Sequence, residues 1–227
     1  MIDLHTHSLF SDGVLLPSEL VRRAYCIGYK ALAITDHVDS SNIDFVVPRI
    51  VKVIGEIRAY FDIQLIPGAE ITHVPPEIIK ELVTEARELG AKIVVVHGET
   101  VVEPVIKGTN RAAIEAGADI LVHPGLISRE DAISAKKMGV ALEITSRRGH
   151  SFSNGHVAKI ALEIGADLVI STDSHSPEDL ITDDWARILL RSAGIPEDAT
   201  EKILKIQKNL LKKSQTAADR KTHLPAL

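Results

Sequence analysis

The sequence predicts an α/β fold in which seven parallel strands alternate with helices and close into a barrel. Short apolar runs recur along the 227 residues, separated by amphipathic stretches that often end at glycine. Aromatic residues make up only 4% of the chain, so aliphatic side chains must form the core, as in buried parallel sheets. Such alternation allows an open or a closed sheet. Histidines that follow the apolar runs favour the closed form.

The expected strands are short apolar runs, and most of them lead directly into polar or charged residues. Buried parallel strands have this character because helices cover them on one side and the barrel interior on the other. We expect the strands at residues 2–5, 31–35, 63–72, 92–96, 120–122, 140–144 and 168–171.

The stretches between the strands predict amphipathic helices. Ser128 is a favourable N-cap because its hydroxyl can accept a backbone hydrogen bond, and Glu130 and Asp131 suit the first turn that follows. Gly139 then provides a stop. We expect helices at residues 17–27, 42–61, 77–89, 110–116, 128–138 and 154–164, with two more after the last strand at 183–193 and 197–211.

Composition indicates one domain. No linker rich in glycine, serine or proline divides the chain, so residues 1–213 are expected to form a single barrel, and residues 214–227 a flexible C-terminal tail. The sequence has a single cysteine, Cys26, so no intrachain disulfide can form. We expect Cys26 to be a buried helix residue. Without a signal-like segment or an apolar run of membrane length, the sequence predicts a soluble, cytoplasmic protein with no membrane partner.

Histidines follow the expected strands far more often than chance allows. The chain has ten, and windows of about three residues at the strand ends would hold about one of them by chance. Glu70 and Asp173 also lie at strand ends. In a barrel these ends open on one face, whereas an open sheet spreads them along a line, so the crowding favours the barrel. Six histidines lie there: His5, His7, His37, His97, His123 and His175.

These residue types together indicate a metal site. Asp12, in the turn Ser11-Asp12-Gly13, completes a set of nine imidazole and carboxylate groups. Carboxylates packed this closely would raise one another's pKa, whereas a bound cation lowers the pKa of each and keeps them ionised. The set suits zinc, manganese or iron and exceeds what one tetrahedral ion can use. We therefore expect two or three divalent ions, a count typical of centres that bind phosphate oxygens.

Seven motifs carry these residues, in the order Asp3-Leu4-His5-Thr6-His7-Ser8, Ser11-Asp12-Gly13, Thr35-Asp36-His37, Gly68-Ala69-Glu70, His97, His123-Pro124 and Ser171-Thr172-Asp173-Ser174-His175. As a set they resemble the motifs of the PHP family, the polymerase and histidinol phosphatase domain. The likeness covers residues 2 to about 177. It implies a distorted seven-stranded TIM-like barrel, a trinuclear metal centre and phosphoesterase activity.

The resemblance also implies how the ligands are shared. Carried across by motif, the sets are His5, His7, Glu70 and Asp173 for a first ion; Glu70, His97 and His123 for a second; and Asp12, His37 and His175 for a third. Asp12 departs from the histidinol-phosphatase-like pattern, which often has histidine there, although other members carry aspartate. The departure weakens the case for histidinol phosphate as the substrate and leaves the metal preference open.

Further residues lie beside the expected site. Arg147 and Arg148 follow the sixth strand, and because guanidinium groups pair well with phosphate, at least one is a candidate substrate contact; a solvated surface pair is the alternative. His150 is a candidate substrate contact or proton donor. We expect Asp36 to orient a ligand imidazole and His73 to lie at the surface or beside a ligand.

The sequence therefore predicts a metal-dependent phosphoesterase that acts on a small phosphorylated metabolite or nucleotide. One alternative is an exonuclease-type phosphodiesterase on nucleic-acid ends, although a net charge of −5 gives no broad basic surface. A hydrolase of another bond is a second. A third is a non-catalytic subunit, because a similar barrel serves in an archaeal ribonuclease; that interpretation predicts eroded ligands and a basic surface. The sequence does not indicate an oligomeric state.

Overall fold

A computed structural model of the protein describes the backbone of residues 1–219 and the side chains of residues 1–214. Within these residues, parallel strands and α-helices alternate along the chain. The strands are β1 (Ile2–Asp3), β2 (Ala31–Ile34), β3 (His37–Val38), β4 (Gln64–Ile71), β5 (Ile93–His97), β6 (Ile120–Val122), β7 (Ala141–Thr145) and β8 (Leu168–Ser171).

The helices follow the strands as the sequence predicts. Ser128 is the N-cap of the fifth helix, and its side chain accepts a hydrogen bond from the backbone N–H of Asp131. The α-helices are α1 (Pro17–Cys26), α2 (Ile43–Ile57), α3 (Ile79–Glu88), α4 (Thr109–Glu115), α5 (Arg129–Met138), α6 (Asn154–Ile164), α7 (Asp183–Ser192) and α8 (Glu197–Asp219). Short 3₁₀ turns span Arg58–Tyr60, Pro76–Ile78, His150–Ser153 and Pro177–Asp179.

The strands form a nearly closed barrel in chain order, β1-β2-β4-β5-β6-β7-β8, and every pairing is parallel. The predicted seven-stranded α/β barrel is therefore confirmed. The short strand β3 continues the path of β2: β2 pairs with the first half of β4, and β3 pairs with its second half, where His37 lies opposite Glu70. This extension carries the histidine to the carboxyl end of the barrel.

Two apolar layers pack the fold. The larger lies between the sheet and the surrounding helices. The smaller fills the barrel interior, and α8 covers its amino-terminal end with Leu211. The interior side chains are small or aliphatic, which lets a narrow barrel close around them. They are Leu4, Ala31, Ala33, Ile66, Ile93, Val95, Ile120, Val122, Ala141 and Val169.

The seam, where β1 meets β8, closes the barrel. Just beyond the strands, the backbone N–H of His7 donates to the carbonyl oxygen of Ser174 at 2.9 Å. The N–H of Asp173 donates to the carbonyl of His5 at 3.0 Å. Backbone pairing therefore joins the two halves of the seam directly at the level of the predicted ligands.

Side chains complete the lower seam. Asp3, which is fully buried, accepts hydrogen bonds from the N–H and the hydroxyl of Thr172 at 3.2 and 2.6 Å. Below it, the side-chain amide of Gln207 on α8 donates to the carbonyls of Ile2 and Ile170, at 3.1 and 2.7 Å. These polar groups take the place of ladder hydrogen bonds and satisfy strand carbonyls that would otherwise be buried without a partner.

Two expectations differ from the structure. α8 continues to Asp219, beyond residue 211, where the sequence predicts that this helix ends; the flexible tail expected at residues 214–227 stays a prediction, and residues 220–227 lie outside the described residues. Cys26 is exposed at the end of α1, because the apolar face of that helix is formed by other residues. In the described part of the chain, none of the helices has the length and apolar character needed to cross a membrane.

Gly125, in the loop after β6, provides a test of the packing at the carboxyl face. Its φ of +59° lies in the left-handed region, and a Cβ there would overlap the carbonyl oxygen of Glu99. Gly125→Ala should lower the free energy of unfolding by about 2–4 kcal/mol, from strain and overpacking together. Urea denaturation measures this. Gly155→Ala is the control, because nothing lies within 4 Å of the added carbon; equal losses in both variants would contradict the prediction.

Candidate metal centre

Inward-facing side chains change from apolar to charged along the barrel axis. Alternate residues of a strand share a face, so Ile66 and Glu70 of β4 point the same way, as do Val95 and His97 of β5. Glu143 takes the corresponding place on β7. The strands thus present a packed apolar base and a polar upper layer, which collects at the carboxyl face where barrel enzymes have their active sites.

Four buried donors meet at the top of the seam. The Nε2 atoms of His5 and His7 lie 3.0 Å apart. Each is close to Glu70 Oε2, at 3.2 and 3.4 Å respectively. Asp173 Oδ1 lies 3.1 Å from His7 Nε2. The residues assigned by resemblance to a first ion are therefore within reach of one centre.

A second group lies toward solvent. Asp12 Oδ1 is 3.4 Å from His37 Nε2 and 3.1 Å from His175 Nε2. The rings of His7 and His175 stack at 4.2 Å, which joins this group to the first. Asp12 is the most exposed of the three, with 60% of its side chain accessible, so an ion here would remain open to substrate.

The third group lies on the opposite side of Glu70. The rings of His97 and His123 are 4.4 Å apart, and His123 Nε2 is 3.6 Å from Glu70 Oε1. The two oxygens of Glu70 therefore face different groups, as a bridging carboxylate requires. The structure brings all nine predicted ligands together, while their coordination of ions stays a prediction.

Among the residues that the structure describes, three other than glycine have positive φ angles, and all of them belong to this face. They are His73 at 54°, His123 at 30° and Asp173 at 52°. This region of φ is unfavourable for a residue with a Cβ, so the surrounding structure must maintain it. Two of the three are predicted ligands, and the strain therefore coincides with the site.

Glu143 is a site residue that the sequence analysis missed. It is fully buried, accepts a hydrogen bond from His5 Nδ1 at 2.8 Å, and accepts another from the backbone N–H of His123 at 2.9 Å. The first bond assigns the proton of His5 to Nδ1 and leaves Nε2 directed at the centre. The available signal was an acidic residue inside an otherwise apolar strand.

Asp36 has a different role from the one expected. It orients no ligand imidazole by a hydrogen bond; instead its carboxylate accepts four hydrogen bonds from the backbone and hydroxyls of Ser8 and Ser11. These bonds fix the loop that carries Asp12. Nδ1 of His37 lies 2.7 Å from the hydroxyl of Thr72 and 2.8 Å from Glu70 Oε2, so these two side chains orient that ring.

The pKa values of the clustered residues are shifted in different directions. Burial lowers the pKa values of His7 and His123 well below the ordinary range, and neighbouring imidazoles add to the effect. Burial raises the pKa of Asp173 to about 7. Burial also opposes protonation of His5, but nearby carboxylates, Glu143 first, raise its pKa well above normal. A divalent cation favours neutral imidazole and ionised carboxylate throughout, which resolves these opposed tendencies.

Unpaired buried oxygens indicate that the donors fit such cations. Glu70 Oε1 and Asp173 Oδ1 are buried and have no hydrogen-bond partner within the described residues. An unpaired buried carboxylate oxygen is costly unless a cation or donor faces it. Both oxygens instead face imidazole nitrogens that can share an ion with them. Imidazole and carboxylate together suit zinc, manganese or iron.

A cavity of about 370 Å³ lies above the donors. Arg147, Arg148 and His150, the predicted substrate contacts, all line it. His73 and Glu103 line it as well; His73, expected at the surface or beside a ligand, is exposed, and its ring is 4.6 Å from that of the predicted ligand His97. A cavity of this size suits a small molecule.

Comparison with known sequences agrees with this geometry. Residues 3–213 match the family described as PHP domain. The chain belongs to the PHP domain family. As a member with this donor set, it is a hydrolase whose histidine, aspartate and glutamate groups can hold metal ions.

Two relatives and one solved structure cover most of the PHP chain. A protein of Methanocaldococcus jannaschii described as uncharacterized is 48% identical over 93% of this chain and 98% of its own. A protein of Shewanella pealeana named probable phosphatase is 29% identical over 86% of each chain. A chain in archaeal ribonuclease P with mature tRNA has a TM-score of 0.73 at 18% identity, covering 94% of this chain and 91% of that one. The structural likeness shows a shared fold.

Glu143 should support metal affinity without touching an ion. In Glu143→Gln, the amide group that replaces one oxygen faces a donor, either His5 Nδ1–H or the N–H of His123. We expect zinc affinity to fall about 10–100-fold, as for other groups that orient ligands. Competition with a chromophoric chelator measures this, and thermal unfolding checks the fold. Glu115→Gln, on the exposed face of α4, is the control; unchanged affinity in Glu143→Gln would show that the ring needs no such support.

Proposed function

We propose that this protein is a metal-dependent phosphoesterase that hydrolyses a phosphate ester of a small metabolite or nucleotide. The main support is the convergence of nine imidazole and carboxylate donors, six of which line the cavity of about 370 Å³. A relative named probable phosphatase, similar over 86% of both chains, agrees with this reaction. Donors of this kind beside a small open cavity are typical of centres that act on phosphate.

In this proposal the nine donors hold two or three ions of zinc, manganese or iron. The sets are His5, His7, Glu70 and Asp173; Glu70, His97 and His123; and Asp12, His37 and His175. Divalent ions bound there would polarise the phosphoryl group and lower the pKa of an attacking water. Acceptors that face Nδ1 of His5, His97 and His175 keep those rings in the tautomer that leaves Nε2 available for an ion.

Arg148 is the proposed phosphate contact. It is exposed, lines the cavity, and makes no ion pair or hydrogen bond with the residues that the structure describes. Arg147 is committed elsewhere, because its Nη1 lies 3.1 Å from Asp179 Oδ2, and that carboxylate also accepts the N–H of His175. We therefore assign Arg147 to the support of the His175 loop, and Arg148 to the substrate.

His150 is the proposed proton donor to the leaving oxygen. Its Nδ1 lies 2.7 Å from the hydroxyl of Thr100, which can donate to it. That arrangement leaves a proton on Nε2, the atom nearer the cluster, 3.9 Å from Asp173 Oδ2. Burial lowers the pKa of His150, which makes its protonated ring a stronger acid; that form would transfer the Nε2 proton to the leaving oxygen and regain a proton from solvent.

One alternative is supported by an exposed aromatic residue in the 3₁₀ turn that carries His150. Phe152, two residues after His150, is 80% exposed and offers a surface on which a base could stack. An exonuclease-type phosphodiesterase on nucleic-acid ends is therefore the second candidate. The non-catalytic subunit has less support, because the donor set is complete and the net charge is −5. Asp12, in place of histidine, argues against histidinol phosphate as the substrate.

Metal analysis combined with hydrolysis assays tests the function. The purified protein, reconstituted with zinc or manganese, should hold at least one ion per chain and hydrolyse an aryl phosphate monoester faster than the diester. His37→Ala should reduce kcat at least about 100-fold while the fold is retained, because a donor to an ion is lost. Less than one ion per chain would contradict the metalloenzyme proposal, and preference for the diester would favour the nuclease alternative.

Arg148→Ala should act mainly on substrate binding. Loss of the guanidinium removes a charge-assisted contact to phosphate, so KM should rise about tenfold with a smaller change in kcat. Steady-state kinetics on the aryl phosphate measures both constants. Arg191→Ala, at an exposed position on α7, is the matched control. An unchanged KM would show that Arg148 is a solvated surface residue and not a substrate contact.

A further inference from the structure

Glu103, on the loop between β5 and α4, contacts the metal centre although it belongs to none of the motifs. Its Oε2 lies 3.0 Å from Nε2 of His97 and 3.0 Å from Nε2 of His73. Its Oε1 lies 3.5 Å from Nε2 of His150. The carboxylate therefore faces three imidazole nitrogens, one of which belongs to a predicted ligand.

The loop is built to hold this carboxylate in place. Glu99 Oε1 accepts hydrogen bonds from the backbone N–H groups of Gly108 and Asn110, at 2.9 and 3.0 Å. The side chain of Asn110 in turn accepts from the N–H of Glu99 and donates to the carbonyl of Pro124, both at 2.9 Å. Both ends of the loop are thereby tied to the barrel, so the position of Glu103 is defined by the fold.

His97 presents a lone pair to Glu103. Its Nδ1 lies 3.1 Å from the carbonyl oxygen of Gly98, which can only accept, so the ring proton is assigned to Nδ1. Nε2 then carries a lone pair and faces a carboxylate oxygen at 3.0 Å. Two acceptors at this distance require a proton or a cation between them. A cation satisfies both, and it is also what His97 is proposed to bind.

His73 is placed to orient the carboxylate. It is held at a φ of 54°, in the left-handed region, two residues beyond the end of β4. From there its Nε2 reaches Glu103 Oε2. Ligating carboxylates commonly accept a hydrogen bond of this kind, which fixes the direction of their remaining lone pairs.

We propose that Glu103 is an additional ligand of the ion bound by His97 and His123, and that His73 is its positioning residue. The inference rests on the proposed metal centre and extends it beyond the motif ligands. Together with Glu70, the ion would then have two imidazoles and two carboxylates, a mixed donor set that suits zinc, manganese or iron. Glu103 also adds a negative charge to a centre in which Asp12, Glu70 and Asp173 alone would face two or three divalent ions.

Metal release provides a test with a readout other than turnover. Glu103→Gln keeps the size of the side chain and an acceptor for His73, but the amide is a poor ligand. With zinc alone as the probe, the variant should release one ion per chain to a chelator at least about tenfold faster than the wild type, as measured by a colorimetric assay and by elemental analysis. Glu115→Gln, with its exposed carboxylate on α4, should behave as the wild type.

Cobalt substitution reports on coordination directly. Glu103→Gln should change the intensity of the visible d–d bands of the Co²⁺-loaded protein, because the ligand set of one ion changes. His73→Ala should produce a smaller shift in the same direction. Adding His73→Ala to Glu103→Gln should have no further effect, since a positioning residue acts only through the group that it positions.

The outcomes separate this inference from the proposed function. Wild-type release rates and cobalt spectra in Glu103→Gln would overturn the inference, while a wild type that hydrolyses a phosphomonoester would leave the function intact. A wild type that binds zinc but hydrolyses no phosphate ester would overturn the function, and the release assay would still decide whether Glu103 is a ligand. Unchanged thermal unfolding of the metal-free variants verifies that their fold is retained.

Discussion

Pairing of the first strand with the last is the interaction on which the site depends. The hydrogen bonds between His7 and Ser174, and between Asp173 and His5, connect backbone segments whose side chains supply donors to the centre. The Nε2 atoms of His5 and His7 lie 3.7 and 3.1 Å from the same oxygen of Asp173, Oδ1. The spacing of the seam thereby sets the spacing of the donors. A displaced register would separate the imidazoles from the carboxylate that they share.

The barrel also has to accommodate charge in its interior. Its lower half is filled with aliphatic side chains, whereas the upper half contains carboxylates that are fully buried, including Glu70 and Glu143. Such groups are tolerated only when paired, hydrogen-bonded or bound to a cation. Glu143 is satisfied by His5 and His123, but Glu70 keeps one oxygen without a hydrogen bond in the described residues. The layer is thus arranged around positive charge.

Much of this arrangement could be predicted from the sequence, because strand period and strand-end chemistry are local properties. Apolar runs that deliver histidine or carboxylate are visible without a structure, and they located the motif donors. Glu103 could not be found this way, since the path of its loop depends on hydrogen bonds between Glu99 and Asn110, which no strand or helix period indicates. The different roles proposed for Arg147 and Arg148 depend on Asp179, which lies 32 residues after Arg147 and pairs with it. Glu143 could have been predicted, because strand alternation places it on the same inward face as Ala141.

The lower half of the seam has a consequence for how the molecule assembles. Gln207 bonds to Ile2 across 205 residues, and Thr172 bonds to Asp3 across 169. All other strand pairings join neighbours in the chain order, so they close much shorter loops. Closure entropy grows with loop length and delays contacts between distant segments during folding. The seam is therefore the pairing expected to form last, and an ion shared by His5, His7 and Asp173 would act as a clasp on the finished barrel.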